Sequence, residues 1–105
     1  MAQSGRYMAN AVTLLSAVGA TGSGSWMDVE GGIYQVHAEG TWNSSVLTLD
    51  AQGPNDTAIA IAGVSITANS PGTIEIRCVK GERVRATLTG GTPSGIYVRL
   101  VKAQE

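Results

Sequence analysis

The chain has 105 residues, room for one domain rather than two. Charged residues make up only 14% of it, where ordinary soluble domains carry about 25%. Seven basic and eight acidic residues give a net charge of −1, without the cationic excess that displaces counterions from nucleic acid, and the lone Cys78 rules out an intramolecular disulfide or a Cys-rich zinc site.

Residues 1–10 are polar and patternless, and are expected to form a flexible N-terminal arm ahead of a single domain over 11–105. Ala11–Val18 reads as a first strand, followed by a run of small residues, Gly19 to Ser25, expected as a flexible turn. A short strand around Trp26–Glu30 ends at Gly31-Gly32. From Ile33 to Gly40 the alternation is clear: Tyr34, Val36 and Ala38 share one face, and Gln35, His37 and Glu39 the other. Thr41–Ser44 reads as a hairpin loop, after which Leu47, Leu49 and Ala51 turn inward and Thr48 and Asp50 outward. Gly53-Pro54-Asn55-Asp56 is the most turn-like tetrad. Ala58–Ala62 is apolar on both faces, and Val64 and Ile66 then alternate with Ser65 and Thr67.

Ile74, Ile76 and Cys78 point one way, Glu75 and Arg77 the other; Val84, Ala86 and Leu88 alternate with Arg83, Arg85 and Thr87. Both apolar sets stay on one face only if the intervening loop is odd-numbered. Val79-Lys80-Gly81 fits a three-residue hairpin loop, which would set Ile76 opposite Val84, Ile74 opposite Ala86 and Glu75 opposite Arg85. Gly90–Gly95 is expected as a further flexible turn, and Ile96–Lys102 as the last strand.

About eight short strands separated by regular turn signals, with no capped helical stripe, predict an all-β fold: an antiparallel β-sandwich, with the jelly roll as one form of it. No apolar run approaches the ~20 residues that span a bilayer, so no membrane partner is expected. Met1–Arg6 lacks the order of a signal peptide, and synthesis in a cytoplasm is expected.

Little of this sequence suggests catalysis. His37, the only histidine, has Gln35 and Glu39 beside it, so a base with an orienting partner is conceivable; a solvent-facing strand histidine is the simpler account. Cys78 falls on an inward face, where a thiol packs as a small hydrophobe. Asp50 to Asp56 lacks the spacing of a calcium loop, and the glycine runs lack the Lys-Ser/Thr ending of a phosphate loop. No catalytic residue, metal or cofactor is expected. Arg77, Arg83, Arg85 and Arg99 are expected to share the outward face near the C-terminal hairpin, mixed with Glu75 and Glu82.

Two strands are apolar on both sides: Ala58, Ile59, Ala60 and Ile61 in one, and Tyr97 and Val101, facing away from Ile96, Val98 and Leu100, in the other. A sandwich strand ordinarily keeps one wet face, so these residues, with Arg6 and Tyr7 in the arm, are candidate interface positions. Trp26, Trp42 and Tyr97 lie near turns or on an outward face; packing at a core edge is the simpler account of each ring, and stacking on sugars is the alternative use.

As a whole, residues 11–102 resemble small virion proteins of tailed bacteriophages, of the head decoration (cement) or fibre-subunit type. The resemblance is carried by Val12-Thr13-Leu14-Leu15, the small-residue stretch before a short Trp/Asp/Val strand, Leu47-Thr48-Leu49, Gly63-Val64-Ser65-Ile66-Thr67, and Val84 through Gly91. It implies a structural, non-enzymatic protein located in the virion. A cement protein would associate with itself, as a homotrimer, and with a major capsid protein; the alternative it implies is a head- or tail-fibre subunit or a carbohydrate-binding adsorption module.

Overall fold

A chain whose apolar residues fall at every second position buries them by laying pleated ribbons over one another. In the computed structural model, which describes residues 11–104, this gives two antiparallel sheets and, among the described residues, no helix. The strands are β1 (Ala11–Val18), β2 (Gly22–Ser23), β3 (Met27–Asp28), β4 (Gly32–Thr41), β5 (Val46–Gln52), β6 (Ala58–Ala60), β7 (Ser70–Cys78), β8 (Arg83–Thr89) and β9 (Ser94–Gln104). The first sheet has the order β1-β9-β4-β7; the second has β2-β8-β5-β6, with β3 also paired to β8.

β2 and β3 are two halves of one interrupted strand. Gly22 lies opposite Leu88 and Ser23 opposite Thr87; Met27 lies opposite Val84 and Asp28 opposite Arg83. Between them the Gly24 N–H donates to the Ala86 carbonyl at 2.8 Å. The run Gly19–Ser25, expected as a turn, therefore contributes an edge of the second sheet. Small residues suit it, because a Cβ on Gly24 would meet the Leu15 side chain at 2.9 Å.

Counted this way, the pairs β1 with β9, β2/β3 with β8, β4 with β7 and β5 with β6 are those of one long antiparallel ribbon. The ribbon doubles back at Gly53–Thr57, where the Gly53 N–H donates to Thr57 O (2.7 Å) and the Asp56 N–H to Gly53 O (3.0 Å). Rolling the ribbon brings β9 against β4 and β8 against β5. This is the connectivity of a jelly roll, two Greek keys wound into a sandwich.

The inner faces supply the core expected from the alternation. Tyr34, Val36, Ala38, Ile76, Cys78, Ile96, Val98 and Leu100 from the first sheet meet Leu47, Leu49, Val84, Ala86 and Leu88 from the second. Each fully buried aliphatic side chain contributes about 1.5–3 kcal/mol of transfer free energy. Val64 and Ile66 add to this core from an irregular segment tied to β5 by one bridge, Leu47 to Ile66. β1 departs from simple alternation, with Leu14 and Leu15 both buried. Register shifts between Thr13 and Leu15, and again before Val18, absorb the extra residues, and Ala17 takes a φ of 54° there. Such bulges re-aim consecutive side chains to one side.

Two expected hairpins are instead crossings between the sheets. Trp42–Ser45 joins β4 in the first sheet to β5 in the second. Asn43 and Ser44 both have positive φ (45° and 71°) and the Ser45 N–H donates to Trp42 O at 2.8 Å, a tight reversal that redirects the chain without pairing its flanking strands. Likewise β7 and β8 do not pair. Glu75 lies opposite Gln35, and Arg85 opposite Asp50, so the expected Glu75–Arg85 pair does not form. The turn itself is where the residues put it: Glu82 N–H donates to Val79 O (3.1 Å), with Gly81 at φ 87° in the glycine position of a type II turn. The glycine run Gly90–Gly95 is also a packed crossing, not a flexible loop. Gly91 sits against Trp42–Ser45, where a Cβ would meet the Asn43 carbonyl at 2.2 Å.

Candidate functional site

The crossings divide the outward-facing charges between two surfaces. Arg77 and Arg99 lie on the outer face of the first sheet, Arg83 and Arg85 on that of the second. The single arginine face expected from the sequence does not exist, because it assumed that β7 and β8 were neighbours.

On the first sheet the outward residues form rows across the strands. Thr13 and His37 both lie opposite Arg99, and Tyr97 lies opposite Glu39. The next row sets Val101 opposite both Ala11 and Gln35. Together with Ser16, Asn69 and Ser70, the first of these rows surrounds an open concavity of about 810 Å³. Its exposed aromatic side chain is Tyr97, 48% accessible. Among the described residues, neither Arg99 nor Glu39 lies within ion-pair distance of an opposite charge, and no side-chain hydrogen bond joins His37 to a hydroxyl.

One wall of the concavity is set by Asn69, which lies between Ile66, the last core residue of the irregular segment, and β7. Its Oδ1 accepts from the Gly40 N–H at 3.0 Å and from Trp42 Nε1 at 2.9 Å. An amide oxygen committed to two donors fixes which way the carboxamide points. The remaining group, Nδ2, is a donor with no protein partner among the described residues. Trp42 is accordingly not a stacking platform: it is 8% exposed and belongs to the core. Packing at a core edge, the simpler account of this ring, is where the structure places it, although Trp42 lies in a crossing, where period-2 rules do not apply. Asn69 carried no signal of this role in the sequence.

The outer face of the second sheet is satisfied internally. Asp50 Oδ2 accepts from Arg85 Nε at 3.2 Å and from Thr87 Oγ1 at 2.9 Å. Ser23 and Thr87 hydroxyls lie 2.9 Å apart. The Arg85 guanidinium covers one side of the Trp26 ring, 4.5 Å from its centroid, a cation–π contact. Arg83 pairs with Asp28 at 3.0 Å near the edge. Asp50 is thus engaged in this network.

Compared with known protein families, curated proteins and solved structures, the chain matches none significantly.

A third region is the rim at β6. Ala58, Ile59 and Ala60 are all exposed, with Ile59 at 52%. Opposite Ala51, Ile59 lies on the core side of its sheet, yet the sandwich does not close over it; it rests partly on Gly53, where a Cβ would meet its Cδ1 at 2.5 Å. Ile61 is half-buried against the core and its N–H donates to Leu49 O. Among the described residues β6 pairs with β5 alone, which leaves its outer backbone edge open. Arg6 and Tyr7 lie outside the described residues. Cys78 is buried in the core. Burial, reinforced by the Glu82 carboxylate, pushes its thiol up to about 11, the opposite of what a reactive thiolate requires.

Proposed function

We propose that this protein is a structural virion subunit of the capsid-decoration type, which works by assembling with itself and with the shell of a tailed-phage head. The observation that carries the reading is the β6 rim: an apolar edge strand, open along its backbone and holding an isoleucine more than half exposed. An exposed apolar edge is a template for pairing with another chain, and soluble monomers normally blunt such edges with charge, proline or a covering loop. Ala58–Ala62 carries neither a charge nor a proline. Strand addition at this edge supplies backbone hydrogen bonds, and burial of Ile59 supplies apolar area. The low charge content lowers the repulsion that crowded neighbours on a shell would feel.

The test compares the parent chain with Ile59→Lys. Light scattering is expected to show an oligomer for the parent and a smaller species for the variant. Co-sedimentation with the capsids of the encoding virus should fall with it, at unchanged circular dichroism. A parent chain that stays monomeric at high concentration and leaves capsids unoccupied would overturn the proposal.

A further inference from the structure

The concavity on the first sheet is independent of the β6 rim and has different chemistry. We propose that it is a saccharide-binding site, with Tyr97 as the stacking surface, Arg99, Glu39 and Asn69 as the hydroxyl-bonding groups, and Trp42 as a positioning residue.

The volume, about 810 Å³, falls within the range of ligand pockets, roughly 300–1,000 Å³. It is open to solvent, and its lining mixes the apolar Leu15 and Val98 with polar and charged side chains. A chain of sugar rings lying across the sheet fits this shape better than an enclosed ligand. A sugar ring has a C–H face and a rim of hydroxyls, each both donor and acceptor. Such a ligand calls for an aromatic face flanked by polar groups of both kinds, and the register supplies that set. Tyr97 projects from β9 directly opposite Glu39, an acceptor, and the next outward residue on β9, Arg99, is a multiple donor opposite Thr13 and His37.

Preorganisation separates this surface from an ordinary wet strand face. Asn69 does not have to choose an orientation when a ligand arrives, because Gly40 and the buried Trp42 indole already hold its oxygen. Its Nδ2 is left as a directed donor, and fixing a donor in advance lowers the entropy lost on binding. Arg99 and Glu39 have no ion partner to displace among the described residues. Trp26 on the opposite sheet has one ring face already covered by Arg85, so the two aromatic surfaces are not equivalent.

The experiment screens the full-length protein on an array of neutral and acidic tri- to hexasaccharides, then measures the strongest hit by saturation-transfer NMR and titration calorimetry. Tyr97→Ala and Asn69→Ala are each expected to weaken binding about tenfold or more, the scale of one lost packing or hydrogen-bonding contact in a site. Trp26→Ala should leave affinity unchanged. Trp42→Phe keeps the ring but removes the N–H that holds Asn69, and should weaken the parent without weakening Asn69→Ala further, a pattern that general loosening would not produce. Ile59→Lys should not alter saccharide affinity, which keeps this result separate from that of the assembly proposal. Silence on the array together with no transfer signal at millimolar ligand would overturn the inference. Binding that survives Tyr97→Ala but is lost in Trp26→Ala would do the same.

Discussion

The outer faces of the two sheets are built from similar residue types and end in opposite states. On the second sheet Arg85, Asp50, Thr87 and Ser23 satisfy one another, and Trp26 lies under the guanidinium. On the first sheet Arg99, Glu39, His37 and Tyr97 line a hollow without ion pairs among the described residues. Register accounts for the difference. Asp50 lies directly opposite Arg85, so opposite charges meet across a strand pair, where such pairs contribute roughly 0.2–1 kcal/mol. Arg99 instead faces Thr13 and His37, and Glu39 faces Tyr97. One face uses its polar groups for stability; the other leaves them available to a ligand.

The inner faces, by contrast, should be equivalent, and this is the comparison with the largest expected effects. Leu100→Ala from the first sheet and Leu49→Ala from the second, both wholly buried, should each cost about 2–5 kcal/mol in chemical denaturation. A loss confined to one of them would show that the two sheets do not share a single core.

Outer-face substitutions should then diverge. Asp50→Ala leaves the half-buried Arg85 and the Thr87 hydroxyl without their shared acceptor, and is expected to destabilise by about 1–3 kcal/mol. Arg99→Ala removes no protein contact of this kind and should stay within about 0.5 kcal/mol of the parent. Equal costs at the two positions would erase the distinction between the faces.

A further effect depends on pH. Cys78 titrates at about 11 in the folded chain and near 8.5 when unfolded. Its contribution is fully present below the unfolded value. As pH rises the unfolded chain sheds the proton first, so stability falls between roughly pH 8.5 and 11, by about 3 kcal/mol. Tyr34, also raised by burial, adds a loss of the same sign at higher pH. Denaturation midpoints of Cys78→Ala should fall less steeply over this window than those of the parent. Parallel slopes would mean that the thiol is not protected by the core.

Most of the in-or-out pattern was legible in the sequence. The alternation at Tyr34, Val36 and Ala38, at Leu47 and Leu49, and at Val84, Ala86 and Leu88 appears as buried positions in the structure. The Gly53–Asp56 turn proved to be the tip about which the whole ribbon folds. The candidate site was less legible. Tyr97, His37 and Glu39 were placed on outward faces, but nothing local set Arg99 beside His37 or brought Asn69 to Trp42. Trp42, whose simpler account is packing at a core edge, is also the buried donor that orients Asn69.

Period-2 patterning is a property of a single backbone, so the residues alone decided which side chains are buried and where the chain turns. Which strand lies beside which was decided only by the assembled sandwich. The odd-numbered joint at Val79–Gly81 shows why. A hairpin sets both apolar faces on one side of one sheet, whereas a crossing sets them facing each other across two. Both arrangements bury the same side chains, and only the backbone hydrogen bonds of the rolled ribbon distinguish them.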